Sequence, residues 1–208
     1  MSQKFIVTGT DTDVGKTVFA AALVGALGGY YWKPVQAGLS EGSDAQTVAR
    51  LSGLPRAHVL AEAYRLTTPC SPHRAAIIDG VEIDPACLVL PVAPGPLIVE
   101  GAGGALVPLS RGLLYADLFA NWQKPVIIVA RAGLGTINHS LLTIEALRVR
   151  DVPIHGIAFI GDAHQDSAEI VCEISGVKQL GRLPHLQSLN AKALSAAFAA
   201  NFDLDDFT

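Results

Sequence analysis

The order of apolar runs and helical stretches along this chain predicts an α/β fold built on one doubly wound, mostly parallel sheet. Segments 5–8, 30–33, 97–100, 126–130 and 157–160 are short and continuously apolar, as strands covered by helices on both faces must be. Helical stretches lie between them, at 16–27, 44–51, 138–149 and 189–200, and this alternation feeds parallel crossovers. The composition agrees: 50% of residues are hydrophobic and 16% charged.

Taken in order, "KFIVT" reads as the first strand and "KTVFAAALVGAL" as a helix that Gly28-Gly29 terminates. Asp44 stands at the next helix start, where Ser43 or Asp44 itself is the cap. The stretch "DPACLVLPVAPGP" carries four prolines, so any helix within it must be brief. Residues 177–183 read as a last edge strand before the turn at Pro184. With 208 residues and neither repeat nor linker, residues 1–208 are expected to form a single domain. A net charge of −4 gives no electrostatic case for nucleic acid or an anionic membrane. No apolar run reaches the roughly 20 residues of a membrane helix. The first strand follows Met1 so closely that no leader is expected. Cys70, Cys87 and Cys172 have neither disulfide nor zinc spacing, which suits a reduced cytoplasm.

The candidate chemistry begins at "GTDTDVGKT", residues 9–17. A phosphate-binding loop needs backbone amides at a helix N-terminus, a lysine to neutralise charge and a hydroxyl for Mg²⁺. Gly15-Lys16-Thr17 supplies that end, behind a strand and ahead of a helix; Lys16 is read on the β/γ-phosphates and Thr17 on the metal. The glycines Gly9 and Gly15 are separated by five residues instead of the usual four, with Thr10 where the first glycine is expected. Lys33 ends an apolar strand ahead of Pro34; it reads either as a solvated lysine or as a group facing a ligand at the sheet's carboxyl edge. Glu100 ends the strand at 97–100 and meets Gly101, Gly103 and Gly104. It is either an exposed turn glutamate or a metal-binding carboxylate beside backbone that a ligand approaches closely. Thr17, Asp44 and Glu100 together form a candidate Mg²⁺ set. Thr136, Ile137 and Asn138 open a helix, readable as an anion cradle or as an Asn-capped start. His73 and His139 read as structural.

"GTDTDVGKT", "YWKPVQAG", "SDA", "SPH", "VEGAGG", "LGTINHSLLT" and "LGRLPHL" occur in the order and rough spacing found in the dethiobiotin synthetases, and they span residues 9–186. The chain resembles that family, in which the five-residue spacing is normal. The resemblance implies a phosphate-loop NTPase type of fold and a carboxylating ligase. Such an enzyme joins 7,8-diaminononanoate, CO₂ (or bicarbonate) and ATP into dethiobiotin, ADP and phosphate, with Mg²⁺. It implies Lys33, Lys16 and Thr12 as catalytic residues. It places nucleotide on Asp13, Val14, Gly15, Lys16, Thr17, Val18, Asp44, Glu100, Gly101, Ala102 and Gly103, and on Pro184, His185 and Leu186 near the base. Substrate falls to Lys33, Ala37 and Thr136–Asn138, with the last three acting across a homodimer. Two positions depart from the family: Ala37 stands where Ser or Thr is common, and "AFIGD" places Gly161 where an adenine-reading Asn precedes the aspartate. The second departure predicts looser choice of nucleotide base. A competing reading is a partner-regulated ATPase switch of the partition or septum-positioning type. Asp11 at the position of that group's signature lysine, and the lack of a basic or amphipathic tail, oppose it. An amidotransferase-type synthetase would need a glutaminase domain for which the chain has no room.

Overall fold

The computed structural model describes residues 2–40 and 42–208. The chain begins with β1 (Lys4–Gly9), α1 (Lys16–Leu27), β2 (Tyr30–Trp32), β3 (Val35–Ala37) and α2 (Asp44–Leu51). Next come β4 (Tyr64–Leu66), α3 (Pro72–Asp79), β5 (Leu97–Gly104), β6 (Pro108–Ser110), β7 (Leu113–Leu114) and α4 (Tyr115–Trp122). It ends with β8 (Val126–Arg131), α5 (Thr136–Arg148), β9 (Ile154–Ile160), α6 (Gln165–Ser175), β10 (Gln179–Leu183) and α7 (Ala191–Asn201). Six strands form an all-parallel sheet in the order β10-β9-β8-β1-β5-β2, and two small ribbons, β3-β4 and β6-β7, stand beside it.

The strand alternation divides the interior into two cores. Phe5 and Val7 of β1 pack with Phe19 and Leu23 of α1 on one face. Ile6 between them packs with Tyr115 and Phe119 of α4 on the other. Chain leaving β1 therefore crosses on one face and chain leaving β5 on the opposite face. Strands β1 and β5 are neighbours, so their carboxyl ends flank the crevice where the crossovers part, the usual ligand position in such sheets.

Local chemistry sets the helix ends. Gly28 takes the left-handed conformation (φ 58°) and its N–H returns to the carbonyls of Val24 and Gly25, closing α1. Ser43 caps α2: its Oγ accepts from Gln46 N–H at 3.2 Å while Gln46 Oε1 accepts from Ser43 N–H at 2.9 Å. The cap is thus Ser43 and not Asp44, which leaves the Asp44 carboxylate free. α5 begins at Thr136, two residues before the predicted 138, because Gly135 (φ 89°) turns the chain there; Asn138 lies inside the first turn and is not its cap. Between Asp84 and Pro96 the only helical piece among the described residues is the brief turn Pro85–Cys87. The helices α3, α4 and α6 were not foreseen. Cys70, Cys87 and Cys172 are free thiols. No helix among the described residues is long and apolar enough to cross a membrane.

Candidate active site

The loop between β1 and α1 needs both of its glycines. A Cβ on Gly9 would lie 2.8 Å from Asp11 O and 2.9 Å from Val14 Cγ2. Gly15 has φ 93°, and a Cβ there would lie 3.0 Å from Ile160 Cγ2. Asp13 takes the left-handed turn between them (φ 55°). The first bond of α1 runs from Phe19 N–H to Gly15 O at 3.0 Å, so the amides before it have no partner within the helix and suit an anion. Lys16 Nζ donates to Asp11 O at 2.8 Å. Its burial lowers its pKa; Glu100 opposes that shift and Lys33 adds to it. Val14 points into the core, leaving only its backbone to the loop.

Across the crevice, Lys33 leaves the end of β2 and Glu100 lies within β5, both buried. Lys33 Nζ stands 2.6 Å from Asp44 Oδ2, 3.2 Å from Glu100 Oε1 and 3.2 Å from Gly101 O, so its three N–H groups meet three acceptors. Burial alone would lower the Lys33 pKa. The carboxylates of Glu100 and Asp44 outweigh it, and the pKa rises above the ordinary lysine value. Burial likewise pushes the Asp44 pKa up, but Lys33 and then the Thr17 hydroxyl hold it below the usual aspartate value. Thr17 Oγ1 lies 2.9 Å from Asp44 Oδ1 and 2.8 Å from Glu100 Oε1. A hydroxyl carries one proton and can donate to only one of them at a time, so a cation among these oxygens would relieve the other contact. Three hard oxygens with open space beside them fit Mg²⁺, which takes few protein ligands and completes its shell with phosphate oxygens and water.

One cleft of about 880 Å³ connects the loop and this cluster. Of the residues expected at the site, Thr12, Asp13, Gly15, Lys16, Thr17, Val18, Lys33, Ala37, Asp44, Glu100, Ala102 and Gly103 line it. Gly101 contributes its carbonyl from beneath. Thr136, Ile137 and Asn138 do not line it; Thr136 borders a separate small pocket with Arg182. Pro184, His185 and Leu186 also lie outside it. His185 Nε2 stands 3.3 Å from where a Cβ on Gly161 would begin, and Arg182 Nη1 donates to Gly161 O at 2.6 Å. This second region touches the loop through Ile160, against Gly15.

Two contributors escaped the sequence reading. Tyr31 Oη donates to Glu100 Oε2 at 2.8 Å inside the core. Gln36 Oε1 accepts from Asp44 N–H at 3.0 Å, while its Nε2 donates to Ala37 O at 3.3 Å and Gly38 O at 3.2 Å. The signal for Gln36 was a polar side chain between Val35 and Ala37 in a half-buried ribbon; for Tyr31 there was none, since a strand tyrosine reads as core.

The family model of an AAA domain matches residues 3–193. The ATP-dependent dethiobiotin synthetase BioD of Novosphingobium aromaticivorans is 64% identical over 203 residues, 98% of each chain. That of Rhodopseudomonas palustris is 63% identical over 207 residues, covering 100% of this chain and 98% of its own. Among solved structures, the cell division ATPase MinD of Pyrococcus furiosus superposes with a TM-score of 0.55 at 14% identity, covering 96% of this chain and 99% of its own. A ParA family ATPase of Chlorobium tepidum gives 0.52 at 13%, covering 94% and 98%. At that identity these two share the fold alone, whereas full-length identity above 60% places the chain within the ATP-dependent dethiobiotin synthetase family.

Proposed function

We propose that this chain closes a cyclic urea: 7,8-diaminononanoate, CO₂ and ATP yield dethiobiotin, ADP and phosphate. The observation that carries the reading is the ammonium of Lys33 set among Asp44, Glu100 and Gly101 O, opposite a loop ending in Lys16 and Thr17. A neutral amine of the substrate adds to CO₂, giving a carbamate and releasing a proton. The carbamate oxygen takes the γ-phosphoryl group and ADP leaves. The second amine then attacks the carbonyl carbon, expels phosphate and gives up a proton as the urea closes. This sequence needs positioning and charge neutralisation more than covalent help.

Lys33, held protonated by its surroundings, offers positive charge to the carbamate and the transferring phosphoryl group. Lys16 turns from Asp11 O to the terminal phosphates, and the amides of Asp13–Val18 cradle them. Thr12 donates toward the carbamate from the cleft wall, with Ala37 beside the diamine, while Gly101, Ala102 and Gly103 let the backbone approach the nucleotide. Thr17, Asp44 and Glu100 would hold Mg²⁺, which when bound neutralises phosphate charge. Pro184, His185 and Leu186 flank the base, and the glycine at 161 supports loose base selection.

Residues Thr136–Asn138 serve the substrate carboxylate across a homodimer. Exposed Leu134, just before that helix, and Leu142, midway along it, support a paired surface. Residues 1–208 act as one domain in the cytoplasm. Phosphate release tests the reading: it should require both the diamine and bicarbonate and collapse in Lys33→Ala. Release indifferent to the diamine rejects it. Running each nucleoside triphosphate in turn reads base preference in the same assay.

A further inference from the structure

Among the described residues, the Tyr115 hydroxyl is the one buried side-chain oxygen or nitrogen with no hydrogen-bond partner. Tyr115 opens α4 and is fully buried. Its backbone is fixed from two sides: its N–H donates to Val107 O at 3.0 Å, and that of Ala116 to Ala105 O at 2.8 Å. Its ring passes under β5, with Cδ1 3.7 Å from where a Cβ on Gly101 would begin. Gly101 O is one of the three acceptors of Lys33. The phenol feels burial first and then the charges of Lys33 and Glu100, and with its pKa raised it stays protonated. The ring thus packs against the residue whose carbonyl Lys33 bonds, while its hydroxyl bonds to nothing. Dry, unpaired hydroxyls are costly, and phenylalanine would fill the same ring position without that cost.

The resting cluster explains what the hydroxyl is for. All three N–H groups of Lys33 are engaged, two of them by Asp44 and Glu100. Those same carboxylates are the ones read above as holding the cation. Once they turn to it, Lys33 loses its charged acceptors and needs others. We infer that Tyr115 is a positioning residue whose hydroxyl takes an N–H of Lys33 in the loaded enzyme and fixes the ammonium toward the transferring group. This rests on the function proposed above.

Tyr115→Phe tests it, since the ring is kept. Three results are expected together. The metal-free variant melts at or above the wild-type temperature, because the lost hydroxyl had no partner. Thermal stabilisation by Mg²⁺ with a non-hydrolysable ATP analogue is smaller than in wild type. The kcat for diamine-dependent phosphate release falls about tenfold while KM for ATP stays within about twofold. The inference is overturned if kcat stays within about twofold of wild type, or if the thermal shift is unaltered. A lower melting temperature without metal also overturns it, because the hydroxyl is then already bonded at rest. Should the proposed function itself fail, wild type shows no diamine-dependent release, and the two thermal measurements alone decide.

Discussion

Two ion pairs of almost equal length occupy opposite kinds of ground in this molecule. Lys33 meets Asp44 at 2.6 Å, and Arg150 meets Asp117 at 2.7 Å. The Lys33 side chain is 5% exposed and that of Asp44 31%, but the second carboxylate of Lys33, on Glu100, is 1% exposed; the Arg150 and Asp117 side chains are 28% and 37% exposed. The outer pair ties α4 to the end of α5, and Asp117 also accepts from Leu114 N–H at 2.9 Å. Length alone does not tell the pairs apart. The burial of Lys33 and Glu100 does: removing the lysine strands a carboxylate that water barely reaches, whereas water takes over at the surface. A buried lysine and glutamate at a crevice form an arrangement that folding alone has little reason to keep, which supports the role proposed for the cluster.

The comparison can be broken at its strong end first. Lys33→Ala leaves the buried Glu100 charge without its ammonium and should cost about 3–5 kcal/mol of stability without divalent metal. Millimolar Mg²⁺ should recover more stability in this variant than in wild type, since Lys33 no longer competes for those carboxylates; equal recovery in both proteins would separate Lys33 from the metal set. Tyr31→Phe removes the donor at 2.8 Å from Glu100 Oε2 and should lower the melting temperature by roughly 3–10 °C in calorimetry. Gln36→Ala comes next: freeing the N–H of Asp44 should cost about 1 kcal/mol and weaken Mg²⁺-dependent turnover more than nucleotide binding. At the weak end, Arg150→Ala should shift stability by no more than about 1 kcal/mol and leave turnover unchanged. A large loss there would mean that distance, not burial, ranks these pairs.

Acid sharpens the same contrast. Asp117 has its pKa lowered, first by the Arg150 hydrogen bond and then by Leu114 N–H, and Asp44 has its own lowered against burial by Lys33. For both, the unfolded chain binds the proton more readily, so their stabilisation is complete above about pH 4 and fades as pH falls through the folded-state values. Melting curves in metal-free buffer should therefore drop steeply below that point. Asp117→Asn should remove only a small share of the drop.

Elements that announce themselves locally were legible in the sequence. The bounds of α1 and α2 agree with the sequence because a glycine closes one and a serine caps the other; five strands of the main sheet announce themselves as apolar runs and β10 by its place before the turn at Pro184, whereas the ribbons β3-β4 and β6-β7 gave no such signal. α3 carried a start signal, Ser71 before Pro72, that was read only as part of a motif. α4 is eight residues long with three aromatics, too short to show a helical period. In the site, spacing located Lys16 and Thr17 relative to each other, but Lys33 and Glu100 are 67 positions apart. Their meeting depends on β2 lying beside β5, which only the sheet order decides. Tyr31, Gln36 and Tyr115 matter through neighbours that no local pattern names.

The way Lys33 occupies the space between Asp44 and Glu100 bears on how the protein is made. Many metal sites are assembled only when the ion arrives, so the newly synthesised chain waits on supply. Here a lysine stands as counter-ion between the carboxylates proposed to hold Mg²⁺, so folding should not wait on the ion. Chelation should then silence this protein while leaving its circular dichroism spectrum intact, and adding back the ion should restore it at once, with no refolding delay.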